Sequence, residues 1–250
     1  MTDADDLLEL LVATADSVRD ALDGTDDWGL AGTIPGQHKS DLVADAAALD
    51  VLDRAGVGVL SEESGLHGAD AQYVVVVDPL DGSTNAAHGI PWFATSLCAV
   101  DDDGPIAALV VNLALGASFS AVRGGGAWSD GERLGGSDCR SLGQALVLLS
   151  GYPGSWLGWR QYRALGAAAL DLCLVAAGRA DAYLDCSRDA HGPWDYLGGL
   201  LICQEAGVEL ADLHGRELVV LEHEARRTPI AAATPQLWAE VHDRRAADTG

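Results

Sequence analysis

Hydrophobic residues near the N-terminus recur at intervals of three and four, which predicts two amphipathic helices. The first helix ends at Gly24, and its apolar stripe consists of Leu7, Leu8, Leu11, Val12, Ala15, Val18 and Leu22. The second helix is rich in alanine, runs over residues 42–52 and is closed by Gly56. Residues 25–40 are polar and contain glycines, so we expect a loop or a lid between the two helices.

Short runs of β-branched residues predict strands at 57–60 and 73–77, and acidic residues follow each run directly. Three further strand-like stretches are separated by turn residues and suggest an antiparallel meander; they lie at 94–100, 106–112 and 119–123. The glycine-rich segment 124–134 predicts a hairpin with Asp130 and Gly131 as its turn.

Beyond residue 136 the pattern changes to alternating strands and helices, which is typical of an α/β architecture. We expect helices at about 160–177 and 194–206. Strands are expected at 145–150, 182–185, 208–212, 218–221 and 230–233. The change predicts a boundary that divides the chain into an N-terminal α+β part, 1–136, and a C-terminal α/β part, 137–250.

The charge balance restricts the partners of this chain. Fifteen Lys and Arg residues against 38 Asp and Glu residues give a net charge of −23, and such a field repels nucleic acids and anionic membrane surfaces. The N-terminus is acidic where a signal peptide is basic, and no stretch approaches the ~18 apolar residues of a membrane span. Five cysteines without a CxxC pair indicate neither a disulfide framework nor a zinc site. A cytoplasmic location is the expectation.

The most informative segment is a predicted strand that runs directly into DPLDGSTN at 78–85. Asp78 and Asp81 bracket a Pro-Leu turn, so their carboxylates and the Leu80 carbonyl could converge on divalent cations, which take oxygen ligands. Residues 82–85 look like the opening of a helix whose free N–H groups face an anion. Taken alone, the segment is equally compatible with a β-turn followed by a helix cap.

Two other segments favour the cation site over the simple turn. Glu62 and Glu63 end the neighbouring predicted strand, and Asp195 follows Trp194 at the start of a predicted helix. A solvated acidic surface does not require carboxylates placed at the ends of three separate elements. The chain has no GxxxxGK[ST] loop, no GxSxG turn and no GxGxxG after a strand, which argues against ATPases, serine hydrolases and dinucleotide-binding enzymes.

Three co-linear motifs resemble the signatures of the inositol monophosphatase superfamily: SEESG at 61–65, DPLDGSTN at 78–85 and WDYLGGLLICQEAG at 194–207. The resemblance implies a layered α-β-α-β-α sandwich of the inositol monophosphatase and fructose-1,6-bisphosphatase type. It also implies a Mg²⁺-dependent, lithium-sensitive type of phosphomonoesterase that forms a homodimer.

The resemblance further implies a set of metal ligands. Glu62, Asp78 and the Leu80 carbonyl would hold a first Mg²⁺, and Asp78, Asp81 and Asp195 would hold a second. Glu62 would help to hold a third ion and to orient the attacking water, so two to three ions per site are expected. Glu62 and Asp81 are therefore also expected to be catalytic.

Phosphate and substrate contacts follow from the same resemblance. The amides of Gly82 and Ser83 would hold phosphate oxygens, and the Ser83 hydroxyl would act in catalysis. Gly166, Ala167 and Asp185 match positions at which relatives contact substrate hydroxyls. Relatives that prefer inositol phosphates commonly carry Glu where this chain has Asp185. The resemblance as a whole implies inositol-1-phosphate or a related cyclitol or sugar phosphate as substrate, and histidinol phosphate and 3′-phosphonucleotides stay open as alternatives.

The chain departs from the family pattern after its DLV sequence. Relatives continue with Thr-x-x-Asp, and this aspartate accepts a hydrogen bond from the threonine of DGT; here the matching positions are Ala47 and Ser83. Ser83 would therefore lack its partner unless Asp45 or Asp50 reaches it. The departure predicts weakened or redirected activity, or a non-catalytic metal- or phosphate-binding regulatory protein. Lys39 matches a lysine of the family's lid. Two roles are open for it: contact with the phosphate or a metal-bound water, or a solvated charge on the surface.

Overall fold

A computed structural model describes residues 3–32 and 36–248 of the chain. Six α-helices occur in this part of the chain, together with a single 3₁₀ turn at Leu142–Gln144. The helices are α1 (Asp3–Asp23), α2 (Lys39–Ala55), α3 (Ser83–Ala87), α4 (Ala168–Ala176), α5 (Pro193–Glu205) and α6 (Pro235–Ala247). Among the described residues, no helix is long and apolar enough to span a bilayer.

The first sheet contains eight strands in the order β2-β1-β3-β4-β5-β6-β7-β8. They are β1 (Gly58–Ser61), β2 (Gly65–His67), β3 (Val74–Asp81), β4 (Ala94–Asp101), β5 (Gly104–Asn112), β6 (Ser118–Val122), β7 (Gly126–Ser129) and β8 (Glu132–Arg133). Strands β1 and β3 are parallel, and each of the other neighbouring pairs is antiparallel. The predicted antiparallel meander is therefore confirmed, and so is the hairpin with Asp130 and Gly131 between its strands.

The second sheet contains five strands in the order β10-β9-β11-β13-β12. They are β9 (Leu146–Ser150), β10 (Gln161–Arg163), β11 (Ala182–Asp185), β12 (Glu209–Asp212) and β13 (Pro229–Ala232). Strand β9 pairs in parallel with both β10 and β11, whereas β13 is antiparallel to its two neighbours.

Three hydrophobic clusters of described residues fill the spaces between the layers. The alternation of side chains along β3 sends Val75 and Val77 to the face covered by α1 and α2, and Val74 and Val76 to the opposite face. That opposite face packs on α4 and α5, which also cover the second sheet through residues such as Tyr183. Helix α6 closes the outer face of the second sheet. The order of layers is α-β-α-β-α, which confirms the predicted fold class.

Two predicted elements are wrong, and α6 was not predicted. The segment expected to be helical from about 160 begins with β10, and its helix α4 starts only at Ala168. Gly166 between them has φ of +88°, a left-handed conformation that interrupts a helix. Residues 218–221 form no strand. Helix α6 buries only Leu237, Val241 and Arg245, so its hydrophobic stripe is too narrow to stand out in the sequence.

The boundary near residue 136 stays a prediction. The elements of the first sheet end at Arg133, and those of the second begin at Leu146. A single hydrophobic cluster nevertheless includes residues from both sheets and from the helices between them. All five cysteines are free, in agreement with the absence of a disulfide framework.

Candidate active site

The end of β3 carries the two aspartates of the DPLDGSTN segment. All eight residues of the strand are buried, and Asp78 is only 1% exposed. The pairing of β3 with β4 shifts register between Asp78 and Asp81, so the Pro79-Leu80 turn interrupts the ladder. The Leu80 amide donates a 3.0 Å hydrogen bond to Asp78 Oδ1 and so orients that carboxylate.

A left-handed glycine turns the chain from β3 into α3. Gly82 has φ of +84° and lies against the Trp92 and Gly166 carbonyls. The Asn85 side chain donates hydrogen bonds of 2.8 Å to the carbonyls of Trp92 and Leu165. These contacts tie the first turn of α3, with Ser83, to the segment that precedes α4.

Substitution of Gly82 by alanine should destabilise the fold. The new Cβ would lie 3.0 Å from the Trp92 carbonyl oxygen and 3.1 Å from that of Gly166, in addition to the cost of a left-handed alanine. We expect a loss of about 3 kcal/mol, or a Tm lower by about 6–12 °C. Gly89→Ala is the matched control, because Gly89 has φ of +68° with no atom within 4 Å of its Cβ position. Equal Tm values for the two variants would show that the close approach at Gly82 is unimportant.

Backbone amides hold two further carboxylates at helix starts. Asp81 accepts hydrogen bonds from the amides of Ala168 and Ala169, at 3.2 and 2.8 Å, at the start of α4. Asp195 lies in the first turn of α5, where its Oδ2 accepts a 2.6 Å hydrogen bond from Gly192 N. Both arrangements place an acidic side chain at a helix N-terminus, where the helix dipole favours negative charge.

Four carboxylates form a mutually repelling group, which we call the acidic cluster: Glu62, Asp78, Asp81 and Asp195. Burial raises the pKa of all four, and repulsion by other members raises the pKa values of Glu62, Asp78 and Asp81 further. The pKa of Asp81 rises to about 7. Ionising these groups together costs free energy unless a cation compensates them.

The acidic cluster has the donor chemistry for Mg²⁺, since its oxygens are the hard ligands that this ion prefers. Across residues 3–32 and 36–248, no three His, Cys, Asp or Glu side chains are spaced closely enough to form a ready metal site. Hydrogen bonds from backbone amides hold the carboxylates of Asp78, Asp81 and Asp195 in position. The oxygen ligands of the acidic cluster thus suit a divalent cation, although the carboxylates of the described residues are not grouped closely around one point.

A cavity of about 410 Å³ lies beside the acidic cluster. The two predicted site residues on its wall are Glu62 and Ser83, and Asp41 lies on the same wall. The remaining lining residues are Gly36, Gln37, Glu63, Trp194, His223 and Arg226. The cavity therefore joins the segment before α2, the end of β1, the start of α3 and the loop before β13.

Ser83 has a carboxylate neighbour, and it is Asp41. Burial raises the pKa of Asp41, whereas the hydrogen bond from the His38 amide and, to a smaller extent, the nearby Ser83 hydroxyl lower it. Asp41 Oδ2 accepts a 2.7 Å hydrogen bond from His38 N, while Oδ1 is buried without a hydrogen-bond partner among the described residues. The Ser83 hydroxyl therefore lies near the carboxylate without a closed hydrogen bond.

The expectation that Ser83 lacks an acidic partner is wrong. Ala47 packs toward α1, and its carbonyl accepts a 3.2 Å hydrogen bond from Ser17 Oγ. Neither predicted substitute fills the role, because Asp45 accepts hydrogen bonds from two other serines and Asp50 pairs with Arg54. Position 41 was missed because the match was made on the letters DLV, six residues out of register with the residue that faces Ser83.

Sequence reasoning also missed two basic residues in the loop before β13. Arg226 places its guanidinium 5.1 Å from the Trp194 ring centroid, and its charge lowers the pKa of Asp195, although burial raises that pKa overall. His223 Nε2 donates a 2.9 Å hydrogen bond to the Glu62 carbonyl, and the His223 ring lies 4.9 Å from the Trp194 ring at an angle of 35°. The signal available in the sequence was a basic pair, Arg226-Arg227, in a strongly acidic chain.

The three predicted substrate positions occupy different environments. Gly166 and Ala167 lie against Gly82, at the entry to α4. Asp185 is 0% exposed, and its carboxylate accepts hydrogen bonds from His191 Nδ1 at 2.9 Å and Ser187 N at 2.7 Å. Asp185 is thus engaged within the protein, and the substrate contacts of all three residues stay a prediction.

His191 carries a stabilised positive charge beside Asp185. Burial alone would lower the pKa of His191, but the Asp185 hydrogen bond and the charge of Asp195 outweigh burial and raise it to about 9. Lys39, by contrast, is half exposed, and its ammonium pairs with Asp27 at 2.6 Å. Lys39 is not among the residues that line the cavity, and its role stays a prediction.

Comparisons with known proteins agree with this arrangement. A family model described as "Inositol monophosphatase family" matches residues 38–248. The chain is 36% identical over 202 residues to an inositol-1-monophosphatase of Mesorhizobium japonicum, and the match covers 72% of this chain and 74% of that protein. It is 35% identical over 183 residues to a fructose-1,6-bisphosphatase/inositol-1-monophosphatase of Archaeoglobus fulgidus, covering 72% and 71% of the two chains.

A solved structure shares the fold along nearly the whole chain. The extragenic suppressor protein suhB of Bartonella henselae superposes with a TM-score of 0.81 at 27% identity, covering 96% of this chain and 98% of that one. Because the family model matches most of the chain and the relatives share its sequence and fold, the chain belongs to the inositol monophosphatase family.

Proposed function

We propose that this protein is a Mg²⁺-dependent phosphomonoesterase that acts on inositol-1-phosphate or a related cyclitol or sugar phosphate. The observation that carries the proposal is the acidic cluster. Its four carboxylates have raised pKa values, Asp78 and Asp81 are buried, and the cluster lies beside a cavity that contains the Asp41–Ser83 pair. Membership of a phosphatase family supports it.

The residues that would hold Mg²⁺ are the four carboxylates of the acidic cluster and the Leu80 carbonyl, in two to three sites. When bound, the ions would neutralise the phosphate dianion and acidify a coordinated water. Burial of Asp78 and Asp81 supports this assignment, because an ion pair gains strength where water is excluded. Glu62 additionally has access to the cavity, where it would orient the attacking water.

The phosphate would lie at the start of α3. The first-turn amides of a helix have no acceptor within the helix, so the amides of Gly82 and Ser83 would donate to phosphate oxygens. The left-handed conformation of Gly82 turns these amides away from the path of β3. Asp41 would accept a hydrogen bond from the Ser83 hydroxyl and so fix the direction in which that hydroxyl accepts from water.

The choice among substrates follows the relatives. Two of them carry names that include inositol-1-monophosphatase, and one of these names also includes fructose-1,6-bisphosphatase. Cyclitol and sugar phosphates are therefore the first substrates to test, with histidinol phosphate and 3′-phosphonucleotides as the alternatives. We also propose a homodimer in the cytoplasm, which light scattering on the purified protein tests for the oligomeric state.

Phosphate release from a panel of these esters tests the proposal. We expect turnover of at least one cyclitol or sugar phosphate in millimolar Mg²⁺ and none in EDTA. Asp195→Asn is the control for contaminating phosphatases, because asparagine can still accept the Gly192 hydrogen bond at the start of α5. That variant should fold and release no phosphate above background.

Two outcomes would overturn the proposal. Turnover that is equal in EDTA and Mg²⁺ would contradict a metal-dependent reaction. Binding of Mg²⁺ without turnover of any ester would instead favour a metal- or phosphate-binding regulatory protein. The structure gives this alternative less support than the sequence did, because Ser83 keeps an acidic neighbour in Asp41.

A further inference from the structure

A second cavity, of about 340 Å³, lies beside the C-terminal end of α6. It shares no lining residue with the cavity at the acidic cluster. Residues after β11, between β12 and β13, and at the end of α6 form its wall. In a chain of net charge −23, its charged lining consists of two arginines and one aspartate, with one histidine beside them.

Arg245 is the most informative residue of this cavity, because it is a buried cation without an anionic partner among the described residues. It is only 9% exposed, and no carboxylate of a described residue lies within 4 Å of its nitrogens. Its Nε, Nη1 and Nη2 donate to the backbone carbonyls of Asp185, Asp248 and Ser187. An arginine has five N–H donors, so two remain. Burying a charge without a counter-ion is costly, which makes an anion the missing partner.

Other lining groups add donors to the same cavity. Arg188 is exposed and makes no hydrogen bond or ion pair with any described residue, and the side chain of His214 likewise has none. Thr228 Oγ1 accepts a 3.3 Å hydrogen bond from Asp189 N, which leaves its O–H free to donate. The acid on the wall, Asp248, is already engaged with Gly154 N and Ser155 Oγ.

We propose that this second cavity binds a phosphate group, as free inorganic phosphate or as the phosphate of a small metabolite. Guanidinium groups suit a tetrahedral oxyanion because their N–H donors lie in a fixed fork, and hydroxyl and imidazole donors complete its shell. The volume of the cavity accommodates a phosphate with a small organic substituent.

An anion in this cavity would act next to the candidate active site. Arg245 holds the carbonyls of Asp185 and Ser187 at the end of β11. The Asp185 carboxylate in turn holds His191, whose charge acts on Asp195 of the acidic cluster. Phosphate bound to Arg245 is therefore linked to Asp195 through the Asp185 backbone and side chain and through the charge of His191.

Phosphate binding in EDTA tests the proposal, since without divalent ions the acidic cluster repels anions. We expect calorimetric binding of inorganic phosphate with a Kd of about 1 mM, and a Tm raised by about 3 °C at ten times that concentration. Sodium chloride at equal ionic strength should not reproduce the shift. Glucose 6-phosphate in EDTA separates the two sources of the group: binding of either ligand supports the site, and binding of the ester alone assigns it to a metabolite.

Variants locate the binding. Arg188→Gln and His214→Gln should each weaken phosphate binding by about tenfold, whereas Arg245→Gln removes a buried donor set and would itself disturb the fold. Arg140→Gln is the matched control, because Arg140 is exposed and lies outside the cavity. Asp78→Asn should bind phosphate in EDTA as the parent does. Unchanged binding in Arg188→Gln and His214→Gln, or no binding by the parent protein, would overturn the proposal.

Discussion

Replacement of Asp78 by asparagine should abolish phosphate release and at the same time make the metal-free protein more stable. We expect turnover to fall by at least about 10³-fold, because the variant loses a carboxylate that is proposed to contact two metal ions. The fold should persist, since asparagine has nearly the same shape and its side-chain oxygen can still accept the hydrogen bond from Leu80 N. Steady-state phosphate release and thermal unfolding in EDTA measure the two effects.

The gain in stability follows from the sign of the pKa shift. Burial, and repulsion by Glu62, Asp81 and Asp195, raise the pKa of Asp78 well above its ordinary value. A carboxyl with a raised pKa in the folded state favours unfolding once pH exceeds its unfolded pKa of about 4. The difference in Tm between Asp78→Asn and the parent should therefore be near zero at pH 4. It should grow toward pH 8 and reach about 3–6 °C in EDTA.

Addition of Mg²⁺ should reverse this order. The ion should raise the Tm of the parent protein more than that of Asp78→Asn, because a ligand that binds only the folded state adds stability that rises with the logarithm of its concentration over its Kd. Asp212→Asn is an instructive control, because Arg216 and backbone amides outweigh burial and lower the pKa of Asp212 to about 2. That variant should lose stability rather than gain it. Equal Mg²⁺ stabilisation of the parent and Asp78→Asn would remove Asp78 from the metal site.

The layered fold, the end of β3 and the start of α5 could be predicted because residues close in sequence determine the structure there. The run from Val74 to Val77 predicts a buried strand, and Gly192-Pro193 predicts the start of a helix that carries Asp195. The helix expected from residue 160 failed because Gly166 adopts a left-handed conformation at the point where the chain contacts Asn85. No periodicity in the sequence reports a contact between residues about eighty positions apart.

The cavity wall could be predicted only in part for the same reason. Glu62 and Ser83 occur in recognisable motifs, whereas Gln37, His223 and Arg226 reach the cavity from loops whose paths depend on tertiary packing. The partner of Ser83 illustrates the limit most directly. A helix rotates by about 100° per residue, so a match that is six residues out of register places the family's aspartate position on a different face of α2. It therefore selects Ala47, which faces α1, instead of Asp41, which lies on the cavity wall.

Loss of either member of the Asp41–Ser83 pair should lower turnover by about 10²-fold, the size of effect expected for an orienting group in acid–base catalysis. Asp41→Asn retains an oxygen that can accept the hydrogen bond from His38 N, so the start of α2 should be preserved. Ser83→Ala removes the hydroxyl and leaves the amide that is proposed to bind phosphate. KM should change little in both variants if the pair acts on the attacking water rather than on ground-state binding.

The double variant separates a working pair from two independent residues. If Asp41 acts through Ser83, the combination should lose about 10²-fold in turnover, close to either single change, whereas independent effects would multiply to about 10⁴-fold. Asp45→Asn is the matched control, because Asp45 is a buried acid one turn further along α2 whose Oδ1 accepts from Ser61 and Ser64 instead. Its turnover should stay within a few-fold of the parent.

Ala47 offers the opposite test of the same geometry. Because its side chain faces α1 and not the cavity, Ala47→Asp should not restore turnover to Asp41→Asn, and it should lower Tm by placing a charge against the hydrophobic layer. Restoration of turnover by Ala47→Asp would show that the sequence match was right after all and that Asp41 serves only to cap α2. Failure to restore it, together with a non-additive double variant, would identify Asp41 as the acid that orients Ser83.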